Sequence, residues 1–367
     1  MIIIASDKFK GSLTSLQVGE AVRAGIHQHA PSSEVLIFPM ADGGDGFDEV
    51  MNHYFSLEKM ETASVDALMR PINGHWRWDA KSKTAYIAVS AASALVQLKE
   101  EERNPEKTSS YGSGLLIKDA IAKGAVKIVL GLGGSATNDA GMGILAVLGF
   151  LLLNENGEKI EPVGGRLTEI KKIIAPDPKP DVVFNIACDV DNPLFGKNGA
   201  AYVYGPQKGA DEAMVKRLDD GLRAVSTLLS NDFGKDISQM PSLGAAGGIA
   251  AGLLPYFNIK ISSGIDLILE ASDLLKYMDR AELIITGEGK LDEQSIQGKV
   301  VGKIAALARQ HQIKSVAVCG VNELDEEAIQ NVGLSRVVAI RDLAKSDEDS
   351  VENANRLLQQ AAKSLLT

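Results

Sequence analysis

Short β-branched or apolar runs in this chain repeatedly end in turns that pair glycines with carboxylates or lysines, and that recurrence restricts the fold more than any single motif. Ile2-Ile3-Ile4-Ala5 leads into Asp7-Lys8-Phe9-Lys10-Gly11-Ser12, and Val35-Leu36-Ile37-Phe38 into Asp42-Gly43-Gly44-Asp45-Gly46. Val126-Lys127-Ile128-Val129-Leu130 precedes Gly133-Gly134-Ser135-Ala136-Thr137-Asn138-Asp139, and Val182-Val183-Phe184-Asn185-Ile186 precedes Asp189-Val190-Asp191-Asn192-Pro193. Leu283-Ile284-Ile285-Thr286 runs into Gly287-Glu288-Gly289-Lys290-Leu291-Asp292. In open α/β sheets, ligands gather at the carboxyl ends of the strands, where loops vary without disturbing the core. A chain with charge and glycine concentrated there is expected to be an enzyme that handles a charged small molecule.

At 367 residues the chain exceeds the size at which single cores stop growing, so two domains are expected. A net charge of −10 speaks against nucleic acid as a partner, because displacing counterions from phosphates needs a basic footprint. An anionic substrate then needs local lysines, and Lys8, Lys10, Lys208, Lys290 and Lys299 lie beside the glycine-rich turns. The two cysteines, Cys188 and Cys319, are far apart and exclude a disulfide framework or a cysteine zinc site. The first apolar run is too short for a signal peptide, and the longest, residues 144–153, falls short of the roughly 20 residues that span a bilayer. A cytoplasmic protein without a membrane partner is expected.

Thr14 and Gln17 have capping-box spacing and Leu13 with Val18 fits a hydrophobic staple, so a helix is expected to begin there and to stop before Pro31. Residues 1–38 then read as strand, helix, strand, and residues 47–55 as an amphipathic segment. Alternating runs at residues 57–67, 74–79 and 84–89, with a turn at Pro71-Ile72-Asn73-Gly74, read as antiparallel strands. From about residue 256 the strand–helix rhythm returns. The expectation is an α/β protein in which residues 1–60 plus 256–367 form a flavodoxin/Rossmann-like parallel sheet from both chain ends. Residues 61–255 form an inserted mixed α/β domain.

Phosphoryl transfer needs donors around phosphates, carboxylates for a divalent metal, and commonly a base near the acceptor hydroxyl. The chain has no P-loop, since no Gly-Lys pair is followed by Ser or Thr. The turn with Gly133, Gly134, Ser135 and Thr137 reads as a strand-to-helix phosphate site, although glycines also serve backbone needs alone. Asp42 and Asp45 suit Mg²⁺, or an ordinary turn. Asp189 and Asp191 form a similar pair, and any of these four aspartates is a potential base. Glu288, Lys290 and Asp292 read as a substrate or metal loop, or as a helix start capped by Asp292. Lys8 and Lys10 read as anion ligands or a solvated turn. The run at residues 244–252 carries no charged or hydroxyl side chain and reads as close packing.

Together, residues 7–12, 40–46, 131–139, 187–194, 205–210 and 286–295 resemble, in order, the type 1 glycerate kinases. That resemblance implies ATP-dependent phosphorylation of D-glycerate with Mg²⁺, usually giving 2-phosphoglycerate, in a two-domain α/β protein whose active site lies in the cleft between domains. It leaves monomer and homodimer open. The residues alone do not reach the substrate or its hydroxyl, because other hydroxy acids suit the same turns and a shift of about 1 Å presents a different hydroxyl. The expected roles are nucleotide phosphates on Gly133, Gly134, Ser135 and Thr137, and metal on Asp42, Asp45 or Asp189. Lys8, Lys10 and Lys290 bind the carboxylate or the moving phosphoryl group, with Ser12, Glu288 and Asp292 toward the substrate. Asp189 or Asp191 is the base. A 3-phosphoglycerate-forming enzyme, a GHMP-type kinase and a non-catalytic hydroxy-acid binder are the competing readings.

Overall fold

The computed structural model describes residues 1–42, 46–296 and 299–365. In chain order its strands are β1 (Ile2–Ser6), β2 (Val35–Ile37), β3 (Glu58–Val65), β4 (Pro71–Asp79), β5 (Thr84–Ala88), β6 (Lys127–Gly131) and β7 (Leu151–Leu153). They continue as β8 (Lys172–Ile174), β9 (Val183–Ala187), β10 (Asn258–Ser262), β11 (Leu283–Leu291), β12 (Lys314–Asn322) and β13 (Val337–Ala339). The chain divides into one compact unit of Met1–Asp42, Glu49–Phe55 and Gly264–Thr367 and another of Gly43–Asp48 and Ser56–Ser263. Among the described residues, no helix is long and apolar enough to cross a membrane.

The first unit holds a wholly parallel sheet in the order β13-β12-β11-β1-β2. Two strands come from the N-terminal part of the chain and three from the C-terminal part, as the sequence pattern led us to expect. Alternation along the strands supplies both faces of the sheet with apolar side chains. Ile4, Ile285, Val316 and Val318 pack with Val18, Val22 and Ile26 of the helix Ser15–His29 and with Leu357, Leu358 and Ala361 of the helix Ala354–Leu365. Ala317 and Cys319 belong to a second cluster with Val301 and Ala305 of the helix Val300–Gln310. The first helix starts as its sequence dictates: Gln17 N–H donates to Thr14 Oγ1 at 3.3 Å, and Thr14 N–H to Gln17 Oε1 at 2.9 Å.

The second unit is built on a mixed sheet in the order β10-β9-β6-β5-β4-β3, in which β5, β6, β9 and β10 are parallel and β3 and β4 antiparallel. The strands β7 and β8 form a separate pair. The turn expected at residues 71–74 lies earlier. Asp66 Oδ1 accepts the N–H groups of Leu68 and Arg70, both at 2.9 Å, and Met69 takes a φ of 65°. The side chain of Asp66 thus closes the hairpin, and Pro71 becomes the first residue of β4, a position where a missing N–H is tolerated. Trp76 and Trp78 are buried in this unit's core and meet edge to face at 6.0 Å. Both cysteines are buried and free.

Candidate functional site

Each unit gathers a polar cluster at the carboxyl ends of its parallel strands. In the first unit, β1 ends at Ser6, and Asp7 N–H continues the ladder by donating to Gly287 O at 2.8 Å. Asp7 is buried at 9 % exposure and accepts from Lys8 N–H at 2.6 Å. Burial, followed by the nearby charges of Asp42 and Glu288, pushes its carboxyl up to about 8. Burial also lifts Glu288 to about 7. Among the described residues, Glu288 Oε1, Thr286 Oγ1 and Ser6 Oγ are buried side-chain oxygens without a hydrogen-bond partner. Where β1 ends beside β11, the first unit therefore carries acids partly neutral near pH 7 and, among the described residues, side-chain oxygens without a hydrogen-bond partner.

The other expected residues of this unit have more local duties. Lys8 is half-buried and Lys10 exposed on the turn that Ser12 closes, where Ser12 Oγ donates to Phe9 O at 3.1 Å. Asp42 lies 4.0 Å from Lys299 Nζ. The segment read as a loop after Thr286 is strand: β11 runs on to Leu291, pairing Glu288 with Cys319 and Lys290 with Val321. Gly287 permits this because a Cβ there would meet Val318 O at 2.2 Å. Lys290 is exposed and paired with Glu323 at 2.9 Å and Asp292 at 3.7 Å. Asp292 Oδ1 accepts from Gln294 and Ser295 N–H at 3.0 and 3.2 Å, so it caps the short helix that follows. Asp45 lies outside the described residues.

In the second unit, β6 and β9 end side by side, Gly131 opposite Ala187. The turn after β6 presents Gly133 and Gly134 at its tip, Gly134 with a φ of 73°. Ser135 is buried, Ala136 N–H donates to Ser93 O at 2.8 Å, and Thr137 Oγ1 donates to Ala246 O at 3.3 Å. The turn does not open directly into a helix as the sequence suggested. The next helix, Met142–Val147, begins only after Gly141. Its leading N–H groups are already satisfied: Gly141 and Gly143 donate to Asp139 at 3.2 and 3.1 Å, and Ile144 to Ser110 Oγ at 3.2 Å. Asp139, fully buried, also accepts from Ser110 N–H and Oγ at 2.7 and 2.8 Å, and burial raises its pKa.

Lys208, buried at 4 % exposure, joins the turn: its Nζ donates to Thr137 O at 2.7 Å and Ser135 Oγ at 3.3 Å. Burial pulls this ammonium down to about 8. Asn138 is also fully buried, and neither atom of its amide has a partner among the described residues. In the loop after β9, Asp189 is half-buried, while Asp191 is exposed and accepts from Ser242 Oγ at 3.3 Å. The run at residues 244–252 is a packing device, as its composition led us to expect: a Cβ on Gly247 would meet Thr137 O at 2.1 Å, and one on Gly252 would meet Ala140 O at 2.0 Å.

Sequence reasoning gave Asp7, Asn138 and Asp139 no individual role and named Lys208 only as one lysine among five. The signal for Asp7 was its place just after a buried strand. For Lys208 it was a lysine between glycines in the run Gly205-Pro206-Gln207-Lys208-Gly209. Among the described residues, no group of three or more His, Cys, Asp or Glu side chains has the geometry to hold a metal ion.

These clusters belong to a chain with extensive relatives. A family model described as the glycerate kinase family matches residues 2–367. A glycerate kinase of Halalkalibacterium halodurans is 36% identical over 99% of this chain and 97% of its own length. The glycerate 2-kinase of Escherichia coli (strain K12) is 37% identical over 87% of this chain and 84% of its own. A crystal structure described as a glycerate kinase 2 from Salmonella typhimurium LT2 matches with a TM-score of 0.85 and 33% identity, covering 99% of this chain and 96% of that one. The chain belongs to the glycerate kinase family.

Proposed function

We propose that this chain transfers the γ-phosphoryl group of ATP to the 2-hydroxyl of D-glycerate, yielding 2-phosphoglycerate and ADP. The observation that carries the reading is the family match over residues 2–367, joined by the polar clusters at the strand ends of both units. The relative named glycerate 2-kinase supports the 2-hydroxyl as acceptor.

In the second unit, the turn with Gly133, Gly134, Ser135 and Thr137 receives the nucleotide phosphates. The tip is glycine, so main chain and phosphate approach without a Cβ between them. Asp189 follows β9, whose end adjoins that of β6, and serves as the proton acceptor for the attacking hydroxyl. Asp191 spends one oxygen on Ser242 and supports that loop. In the first unit, Lys8 and Lys10 hold the substrate carboxylate, with Ser12 on the same turn. Lys290, already paired with two carboxylates, joins them only by exchanging those partners.

Mg²⁺ takes hard oxygen donors and commonly keeps one or two carboxylates beside waters and phosphate oxygens. The donor set in the first unit fits an ion that arrives with ATP: Asp42 is a partly exposed carboxylate, and Glu288 Oε1 is buried and unpartnered. Asp42 would hold the ion, which would neutralise charge developing on the phosphoryl oxygens; Asp45, the other carboxylate expected there, lies outside the described residues. Glu288 and Asp292 flank the substrate hydroxyls. Transfer of the acceptor proton to a carboxylate makes the hydroxyl nucleophilic as the phosphoryl group leaves ADP.

A coupled ATP-consumption assay with D-glycerate tests the reading. Glycerate-dependent turnover is expected, and its absence, with turnover on another hydroxy acid or a sugar, would reject the substrate. Asp189→Asn should lower kcat by roughly 100-fold or more while leaving nucleotide affinity nearly unchanged. Unchanged kcat would remove Asp189 from the role of base.

A further inference from the structure

We propose that Lys208, whose Nζ is bonded to the turn at residues 133–137, is the lysine that binds the nucleotide's polyphosphate; this rests on the ATP-dependent reading above. An ammonium carries three N–H donors, and two of those of Lys208 are spent on Thr137 O and Ser135 Oγ. Among the described residues it makes no ion pair. Asp139 acts on it only through its field, and its oxygens are occupied by Ser110, Gly141 and Gly143. A buried cation without a carboxylate partner is costly and gains most from an anion that arrives from outside.

The neighbouring groups point the same way. Asn138, next to Thr137 in the chain, has a fully buried amide whose oxygen and nitrogen both lack a partner. The helix that follows offers no free N–H groups at its first turn, because Asp139 and Ser110 take them. The N–H groups of this helix are therefore not available to the phosphates, and Lys208 is the buried cation bonded to the turn. A P-loop carries its lysine within the glycine turn itself. Here the lysine comes from a distant segment, Pro206–Lys208, and its Nζ bonds Ser135 Oγ and Thr137 O of the turn.

Lys208→Met separates an anion ligand from a structural strut. Thermal unfolding of wild type and variant is followed alone and with Mg²⁺-tripolyphosphate, alongside KM for ATP and for D-glycerate. An anion ligand predicts an unliganded variant at least as stable as wild type, since an unneutralised buried charge is gone. It also predicts loss of the stabilisation by tripolyphosphate and a rise of about 100-fold in KM for ATP, with KM for D-glycerate within about 3-fold. A variant that keeps the tripolyphosphate shift and the ATP KM overturns the proposal. If the methionine variant does not fold, Lys208→Gln keeps a donor for Thr137 O without the charge and is judged by the same criteria. Failure of both to fold identifies a strut and also overturns it. Wild type that binds tripolyphosphate but shows no glycerate-dependent turnover would defeat the kinase reading and leave the lysine's role to be decided by the same binding comparison.

Discussion

Asp7 shows how far a single side chain's chemistry depends on residues distant in sequence. Its position after a buried strand is readable from the first residues of the chain. Its elevated pKa is not, because burial and the charges of Asp42 and Glu288 produce it only once β1 and β11 lie side by side. With a folded pKa of about 8 against the 3.8 of an ordinary aspartate, Asp7 binds more protons folded than unfolded between those limits. Its contribution to stability is therefore fully present below the lower value and is lost as pH rises through about 8. Thermal unfolding between pH 5 and 9 should show the wild-type midpoint falling more steeply than that of Asp7→Asn, which lacks the Asp7 contribution and keeps those of Glu288, Asp139 and Lys208. Parallel curves would mean that Asp7 is ionised throughout this range.

At the scale of elements, what was legible is what is local. The capping box of Thr14 and Gln17 sets the start of the first helix from side chains three residues apart, and the structure forms both of its hydrogen bonds. The exit from β6 was legible as a glycine turn but not as a turn separated from its helix. That separation depends on Asp139 reaching both Ser110 and the N–H groups of Gly141 and Gly143. Likewise, β11 extends through Glu288 and Lys290 because β12 continues beside it, whereas the glycines there read as a loop. The small-residue run at residues 244–252 supports the turn directly. Gly247 has a φ of 69° and no space for a Cβ against Thr137 O. Gly247→Ala should cost roughly 2–5 kcal/mol by combined overpacking and backbone strain, and raise KM for ATP. Denaturant titration and ATP kinetics check this, and a folded variant with unchanged ATP affinity would separate the run from the turn it packs against.

At the scale of the whole molecule, the order of apolar runs and turns was enough to anticipate a parallel sheet assembled from both ends of the chain, and the order β13-β12-β11-β1-β2 has that composition. The pairing of β10 with β9 was not anticipated. Its strand follows a long helical stretch and declares its sheet only through long-range pairing. The family match spans residues 2–367, so both units belong to what the relatives share. What the whole chain does is then a matter of product chemistry. Phosphorus NMR of the product formed from Mg²⁺-ATP and D-glycerate is the most direct test: the expected result is the resonance of 2-phosphoglycerate appearing as ADP accumulates. A 3-phosphoglycerate signal would contradict the assigned hydroxyl, and no phosphorylated glycerate at all would contradict the assigned reaction.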